Sequence, residues 1–416
     1  MDVETGPVAE LFAASPRPAF GASGVTAARG FQAGAASASI KDGPPRDDIA
    51  VVVADAPCVA HAVFTQCQVV AAPVIVSRER MRGGHAQGIV INSGNANACT
   101  GEAGLRDARE MAEIASIQTG IHPALMLVAS TGVIGVPLPM DRVRRGIREL
   151  RPTRDGGHDA ARAIMTTDLV PKEVSLSVEL QAGTVTIGGM AKGAGMVHPN
   201  MATMLCVVTT DAGLDPLLAR RALQTAADRS FNQISIDGDT STNDTLVLFA
   251  SGAAGTGAIA PGSSDARTFA AALEAVCAEL ARMVARDGEG ATRLIEVLVE
   301  GARNDEQARR IAREVAKSNL VKAAIYGRDP NWGRILAAVG NAGASLNPNA
   351  VDVFIGGQQV AARGAATPFD AVAVSEAMGA DEVVVRVVLD RGGGSGSAWG
   401  CDLTEGYVKI NAEYTT

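Results

Sequence analysis

Apolar positions recur along the chain with two periods. Residues 1 to 48 are rich in Gly, Ala, Pro and Ser, and the first buried-strand signal is the run DDIAVVVADAP, bounded by Asp and Pro. Further strands are expected at GIVINSG, LMLVAST, VSLSVEL, TVTIGG, MLCVVTTDA, DTLVLFASG, LIEVLVEG, ILAAVGNAG, DVFIGG, EVVVRVVLD and GYVKINAEY. Helical spacing is clearest in AGLRDAREMAEIAS, where Leu105, Ala108, Met111, Ala112 and Ala115 share one face. LDPLLARRALQTAADRSF opens with Asp215 as cap and Pro216 in the first turn. A long helix carries Phe269, Leu273, Val276, Leu280 and Met283 inward and stops at Asp287–Gly288. RNDEQARRIAREVAKSNLVKAAIYG reads as one further helix, with Asn304 and Gln307 at capping-box spacing. It leads into a strand- and glycine-rich segment after about Gly327 that is expected to end in an alternating strand at the C-terminus. Strands separated by turns or single helices predict a mixed α/β (α+β) fold, a mixed sheet with helices outside, rather than a strict βαβ series. At 416 residues, two or three domains, or one large domain with an appendage, are expected.

Composition narrows the function. The chain is 47% hydrophobic but only 3% aromatic, which suits tightly packed layers of small side chains. A net charge of −8 without a basic cluster argues against nucleic acid as a partner. The six cysteines are scattered, with neither CxxC pairs nor histidines at ligand spacing, so no metal site and no disulfide framework is expected; they read as reduced core residues. The start of the chain lacks a signal-peptide pattern, and no apolar run has the length of a membrane span, so a cytoplasmic location without a membrane partner is expected.

Several motifs invite chemistry. GGMAKGAGM around Lys192 is glycine-rich, but Lys192 precedes its glycine and a strand follows, which does not fit a nucleotide loop. DGDTSTND places Asp237, Asp239 and Ser241 alternately as in a calcium loop, then fails at Thr242 and Leu248; turns that hold a loop near a site explain it better. There is no GxSxG, the five histidines show no pairing, and His198 reads equally as a loop residue or a base. Thr203, in PNMATML, is either a strand residue or a nucleophile. The second role requires the chain to be cut before it, so that its own α-amine can take the hydroxyl proton.

Seven blocks decide between these readings: KGAGMVHPNMATML, NSGNANACTG, STGVIGVPLPM, SFNQISIDGDTSTNDT, DGEGAT, GRDPNWGRI and GYVKINAEYTT. Together, and falling along the chain in the family's order, they make the chain resemble the ornithine acetyltransferases, the bifunctional glutamate N-acetyltransferases of arginine biosynthesis. The resemblance implies a large layered sheet-and-helix domain over about 25 to 300 and a smaller C-terminal α+β domain over about 301 to 416. It implies self-cleavage between Ala202 and Thr203 into an α chain (1 to 202) and a β chain (203 to 416), assembled as α2β2. Thr203 is then the nucleophile that moves acetyl from N-acetylornithine to glutamate, with no cofactor; some members also take acetyl from acetyl-CoA.

By motif, the resemblance implies that Thr131 and Gly132 form the oxyanion hole, where one donor contributes about 3 kcal/mol. Substrate contacts fall on Thr166, Lys192, Thr203, Glu289, Asn411 and Thr416, with Lys192 suited to a carboxylate and Glu289 to an ammonium. Two departures stand out. Leu169 follows TTD where the family often has a hydroxyl residue, which leaves Thr167 beside Thr166 as an equal candidate, and SASIK replaces Ala-Gly-Ile-Lys. The alternatives are an amidohydrolase or aminopeptidase that gives the acyl group to water, and an uncut binding protein.

Overall fold

The structure, a computed structural model, describes residues 18–198 and 204–413. In chain order its strands are β1 (Phe31–Ala36), β2 (Ile49–Phe64), β3 (His85–Asn95), β4 (Met126–Val133), β5 (Lys172–Leu180), β6 (Gly183–Lys192), β7 (Leu205–Thr210), β8 (Gly213–Leu214), β9 (Ile234–Ser235), β10 (Thr245–Ala250), β11 (Ala258–Ile259), β12 (Leu294–Ala302), β13 (Asp352–Ile355), β14 (Gln358–Ala362), β15 (Ala365–Ala366), β16 (Glu382–Val388) and β17 (Gly394–Cys401). The α-helices are α1 (Ala72–Arg80), α2 (Gly101–Thr119), α3 (Met140–Glu149), α4 (Gly157–Ala163), α5 (Pro216–Arg229), α6 (Ser264–Arg286), α7 (Asp305–Lys317), α8 (Asn319–Tyr326), α9 (Trp332–Asn341), α10 (Ala371–Ala377) and α11 (Glu405–Glu413).

The first sheet runs β4-β3-β2-β10-β7-β6-β5, with β1 paired to β2. Its central strands β7 and β10 are parallel and buried at every residue, which is why both read as continuous apolar runs rather than alternations. On one face Cys206, Val208 and Leu246 join the α5 and α6 core through Leu223, Leu273 and Leu280. On the other, Leu205, Val207 and Phe249 pack with Phe31 and Ile164. The α6 register follows the apolar spacing of its sequence, and truncating a fully buried residue such as Leu273 to Ala is expected to cost about 2–5 kcal/mol.

The second sheet runs β15-β14-β13-β16-β12-β17-β9. Ile295, Val297 and Val299 of β12 meet Val383, Val385 and Val387 of β16 in a core closed by Ile311 and Val315 of α7. Its edge strand β9 lies between α5 and β10 in sequence, so the two sheets share a stretch of chain. The architecture is the mixed α/β one that the element pattern predicts.

Four readings change. ILAAVGNAG is helical: Asn331 caps α9 by accepting from Arg334 N–H at 3.3 Å, and Ile335, Ala338 and Val339 face inward at helical spacing. GYVKINAEY is helical through Glu413, and α11 buries none of its residues, so its alternation of types carries no burial signal. The single helix expected after Arg303 is two, divided at Ser318, whose extended backbone (ψ 113°) ends α7 while its hydroxyl caps α8. Of the cysteines, Cys58, Cys206, Cys277 and Cys401 are buried free thiols, but Cys67 is half-buried and Cys99 exposed. Among the described residues no helix is long and apolar enough to cross a membrane.

Candidate active site

Thr131 and Gly132 lie at the end of β4, where its parallel pairing with β3 breaks register around Asn95. Gly132 has φ +133°, and a Cβ there would stand 2.3 Å from the Gly94 carbonyl carbon, so only glycine fits. The NSGNANACTG loop is tied across this break. Asn95 Nδ2 donates to the Val136 and Pro137 carbonyls at 3.1 and 3.2 Å. Asn243 Nδ2 donates to the Ala96 and Ser130 carbonyls at 2.6 and 2.8 Å, clamping the loop to the strand that carries Thr131. A site built this way is held by buried side-chain amides bonded to backbone carbonyls.

Lys192 ends β6, level with Leu205 of β7, and is 7% exposed. Its Nζ donates to Thr166 Oγ1 at 2.7 Å and Thr131 Oγ1 at 3.3 Å. An ammonium has no acceptor, so both hydroxyl oxygens must accept from it, and both hydroxyl hydrogens are left to donate elsewhere. That is the polarity an oxyanion donor needs. Behind this wall lies an ion network: Lys172, fully buried, donates to Asp168 at 2.7 Å and Asp287 at 2.6 Å. Asp168 also accepts from the Thr166 and Gly193 N–H groups at 3.0 and 2.7 Å. Burial alone would raise Asp168, but Lys192 and Lys172 outweigh it and hold the carboxyl below its usual range. Burial lowers Lys192, with Asp168 only partly opposing it. The two shifts are not mirror images because Asp168 has four hydrogen-bond or ionic partners, whereas Lys192 has lost most of its water.

Glu289 follows α6, its N–H bonded to the Ala194 carbonyl at 2.8 Å. Its carboxylate covers Gly195, where a Cβ would stand 2.4 Å from Oε2, and accepts from Asn411 Nδ2 of α11 at 2.8 Å. Thr131, Gly132, Thr166, Lys192, Glu289 and Asn411 therefore line one cavity of about 180 Å³. Thr167 lines it too, but the lysine bond falls on Thr166; Leu169 is 78% exposed and is absent from the cavity lining. Ala202, Thr203 and Thr416 lie outside the described residues; Met204, next in chain to Thr203, is on the cavity wall.

Sequence reasoning missed Asp168, Lys172, Asp287 and Asn243 as parts of this site, because each is an ordinary residue type whose partners are remote in the chain. Asp237 bonds the Val197 and Asp239 N–H groups at 2.8 and 3.2 Å, acting as the turn-holder expected of its loop. His198 faces another cleft of about 900 Å³, in which Arg309, Arg310 and Arg313 meet Asp228, Glu306 and Glu314. Its Nδ1 is 3.0 Å from Ser235 Oγ and its Nε2 3.0 Å from the Arg313 guanidinium. Burial, then Arg313 and Lys317, push it down to about 3, so it is a structural neutral imidazole rather than a base at this cavity. Among the described residues no three His, Cys, Asp or Glu side chains are grouped to hold a metal ion.

Comparison with known proteins gives one answer. The model of the ArgJ family matches residues 32–416. The arginine biosynthesis bifunctional protein ArgJ of Symbiobacterium thermophilum is 54% identical over 398 residues, covering 95% of this chain and 99% of its own. The protein of the same name from Thermosynechococcus vestitus is 48% identical over 412 residues, covering 94% and 98%. A solved chain of the Mycobacterium tuberculosis ornithine acetyltransferase, crystallised with ornithine, is 40% identical over 44% of this chain and 99% of its own, with a TM-score of 0.42. The seven motif blocks, the family match from residue 32 to the last residue and relatives this similar over nearly their whole length place the chain in one group: it belongs to the ArgJ family.

Proposed function

We propose that the chain cuts itself between Ala202 and Thr203 and that Thr203 then carries acetyl from N-acetylornithine to glutamate. The observation that carries this reading is the convergence of Thr131, Gly132, Thr166, Lys192, Glu289 and Asn411 on one cavity whose wall includes Met204. Thr203 Oγ attacks the acetyl carbonyl carbon while its α-amine takes the hydroxyl proton. The oxyanion draws on the Thr131 hydroxyl and the backbone at Gly132, and the proton passes to the leaving nitrogen as ornithine departs. The glutamate amine then attacks the acetyl-threonine ester and restores the hydroxyl. Lys192 and Thr166 hold the substrate carboxylate, and Glu289, oriented by Asn411, holds an ammonium. Thr416 is assigned a further polar contact with the substrate.

Acetyl-CoA enters as a second donor for the same ester, without a resident cofactor. The α and β chains assemble as α2β2 in the cytoplasm, which native mass measurement tests. Denaturing mass spectrometry is expected to find two fragments, the second beginning Thr-Met-Leu-Cys, and Thr203→Ala is expected to stay whole and inactive. Ornithine release that ignores glutamate would assign the acyl group to water and sink the transferase reading. Glu289→Gln is expected to raise the KM for acetylornithine, and an unchanged KM removes the role given to Glu289.

A further inference from the structure

Lys192, with Thr166, and Glu289 are two oppositely charged poles on the wall of one cavity, and they are tied together from behind. Asp168 holds the first pole. Its carboxylate accepts from the Thr166 N–H at 3.0 Å and from the N–H of Gly193, next in chain to Lys192, at 2.7 Å, and lies 3.8 Å from the Lys192 ammonium. Asp287 holds the second pole, closing the end of α6 two residues before Glu289. Between the two aspartates stands Lys172, the first residue of β5. An ammonium has three protons to donate, and Lys172 has three acceptors for them: Asp168 Oδ1 at 2.7 Å, Asp287 Oδ2 at 2.6 Å and the Val170 carbonyl at 3.3 Å. The same Asp287 oxygen accepts from the Leu169 N–H at 2.9 Å, which pins the approach to β5 against α6 a second time.

In front of this bridge the Lys192–Gly195 stretch passes from one pole to the other. It is held at Gly193 by Asp168 and at Ala194, whose carbonyl accepts from the Glu289 N–H at 2.8 Å. The bonds close a ring: Asp168 to Lys172 to Asp287, along the chain to Glu289, across to Ala194 and back through Gly193.

Stability does not require such a bridge. The side chains of Lys172 and Asp168 are wholly buried and that of Asp287 is 7% exposed, so all three have lost their hydration, and apolar residues of similar volume often serve a fold as well or better. What the charges add is fixed geometry, and a misplacement of about 1 Å at a reacting group can cost about 100-fold in rate. The donor varies on the same scale. An α-N-acetylated diamino acid presents a carboxylate and an ammonium joined by methylenes, and one methylene changes its reach by at most about 1.5 Å, the length of one C–C bond. We propose that the Asp168–Lys172–Asp287 bridge fixes the separation of Lys192 and Glu289 and so makes the enzyme select its donor by length. Lys172, which is absent from the cavity lining, is then a positioning residue. This rests on the reading that Lys192 holds the donor carboxylate and Glu289 its ammonium.

The test compares kcat/KM for acetylornithine with that for α-N-acetyllysine, one methylene longer, and for the acetylated diamino acid one methylene shorter, with glutamate as acceptor. A ratio between donors does not depend on how much of a variant is folded, so lost stability alone leaves it unchanged. The parent is expected to favour acetylornithine by about 10- to 200-fold. Asp287→Ala severs the bridge while leaving Lys172 paired with Asp168, and Lys172→Met combined with Asp287→Asn removes it without altering net charge. In both, the preference over at least one homologue is expected to fall about tenfold, chiefly through a raised KM for acetylornithine. Asp287→Asn alone keeps an oxygen where the Lys172 and Leu169 bonds meet, and is expected to keep most of the parent's preference. Severed variants with the parent's ratios overturn the proposal, and so does a parent indifferent to length or an Asp287→Asn as relaxed as Asp287→Ala. A parent that does not transfer acetyl from acetylornithine, or a KM left unchanged by Glu289→Gln, refutes the reading of the cavity instead.

Discussion

Two buried aspartates stand on the wall of the cavity or directly behind it, and they are opposites. Asp168 is surrounded by donors: Lys172, two backbone N–H groups and, at 3.8 Å, Lys192. Asp244 has hydroxyls and one N–H beside it and, among the described residues, an oxygen without a hydrogen-bond partner. Both are nearly inaccessible, at 8% and 2% exposure, so burial alone does not separate them. Charge does: two lysines hold the Asp168 carboxyl below its usual range, whereas burial pushes that of Asp244 above it. The first is tied to two lysines, whereas the second is left mainly to the cost of burial.

The hardest blow to this contrast is Asp168→Ala, which leaves Lys172 buried with one counter-charge. It is expected to cost about 3–5 kcal/mol, read as a lowered urea midpoint. A near-neutral result would mean that the network contributes nothing to stability. The next test is pH, in a Thr203→Ala background expected to keep the chain whole. Asp168, depressed in the fold, contributes stability that is present above the unfolded value of about 3.9 and lost as pH falls through its folded value. Asp244, raised in the fold, has the opposite sign: its contribution is present below about 3.9 and lost as pH rises towards its folded value. Asp244→Asn in that background is therefore expected to gain about 1 kcal/mol or more at pH 8 relative to pH 4. Equal effects at both pH values would erase the contrast.

Thr166→Val removes one of the two hydroxyls that Lys192 holds and is expected to raise the KM for acetylornithine about tenfold, a loss of roughly 1.4 kcal/mol. The smallest effect is a reference outside both sites. Asp48 accepts from the Ala38 and Ile40 N–H groups, each at 2.6 Å, across Ser39, whose φ of +55° is left-handed. Ser39→Gly relieves that conformation and is expected to raise stability by about 1 kcal/mol without altering turnover. A larger shift would mean that backbone strain rivals the charge effects.

Much of this was legible in the chain. The α6 spacing, the Asp215–Pro216 start of α5 and the apolar runs of β7, β10 and β12 are local patterns tied directly to burial. The misread elements are those where pattern and burial part. α11 buries nothing, and α9 alternates small and branched residues that suit either period. The members of the candidate site came from resemblance, and the ion network from neither route. Asp287 and Lys172 are 115 residues apart, and nothing local marks them as partners. Asp244 lay inside DGDTSTND as one acid among three, and that its oxygen lacks a partner among the described residues is a property of the fold alone.

The order of strands in the first sheet has a consequence for the cut protein. Reading β4-β3-β2-β10-β7-β6-β5 across the proposed break, the first three strands belong to the α chain, the next two to the β chain and the last two to the α chain again. The proposed products would be interleaved, the two β-chain strands held between α-chain strands on both sides, so that neither could leave without tearing the sheet apart. They should not exchange with fragments added from solution, should run as one species in every non-denaturing separation and should melt in one transition. Such a cut would change the chemistry of a terminus while leaving the molecule mechanically a single piece.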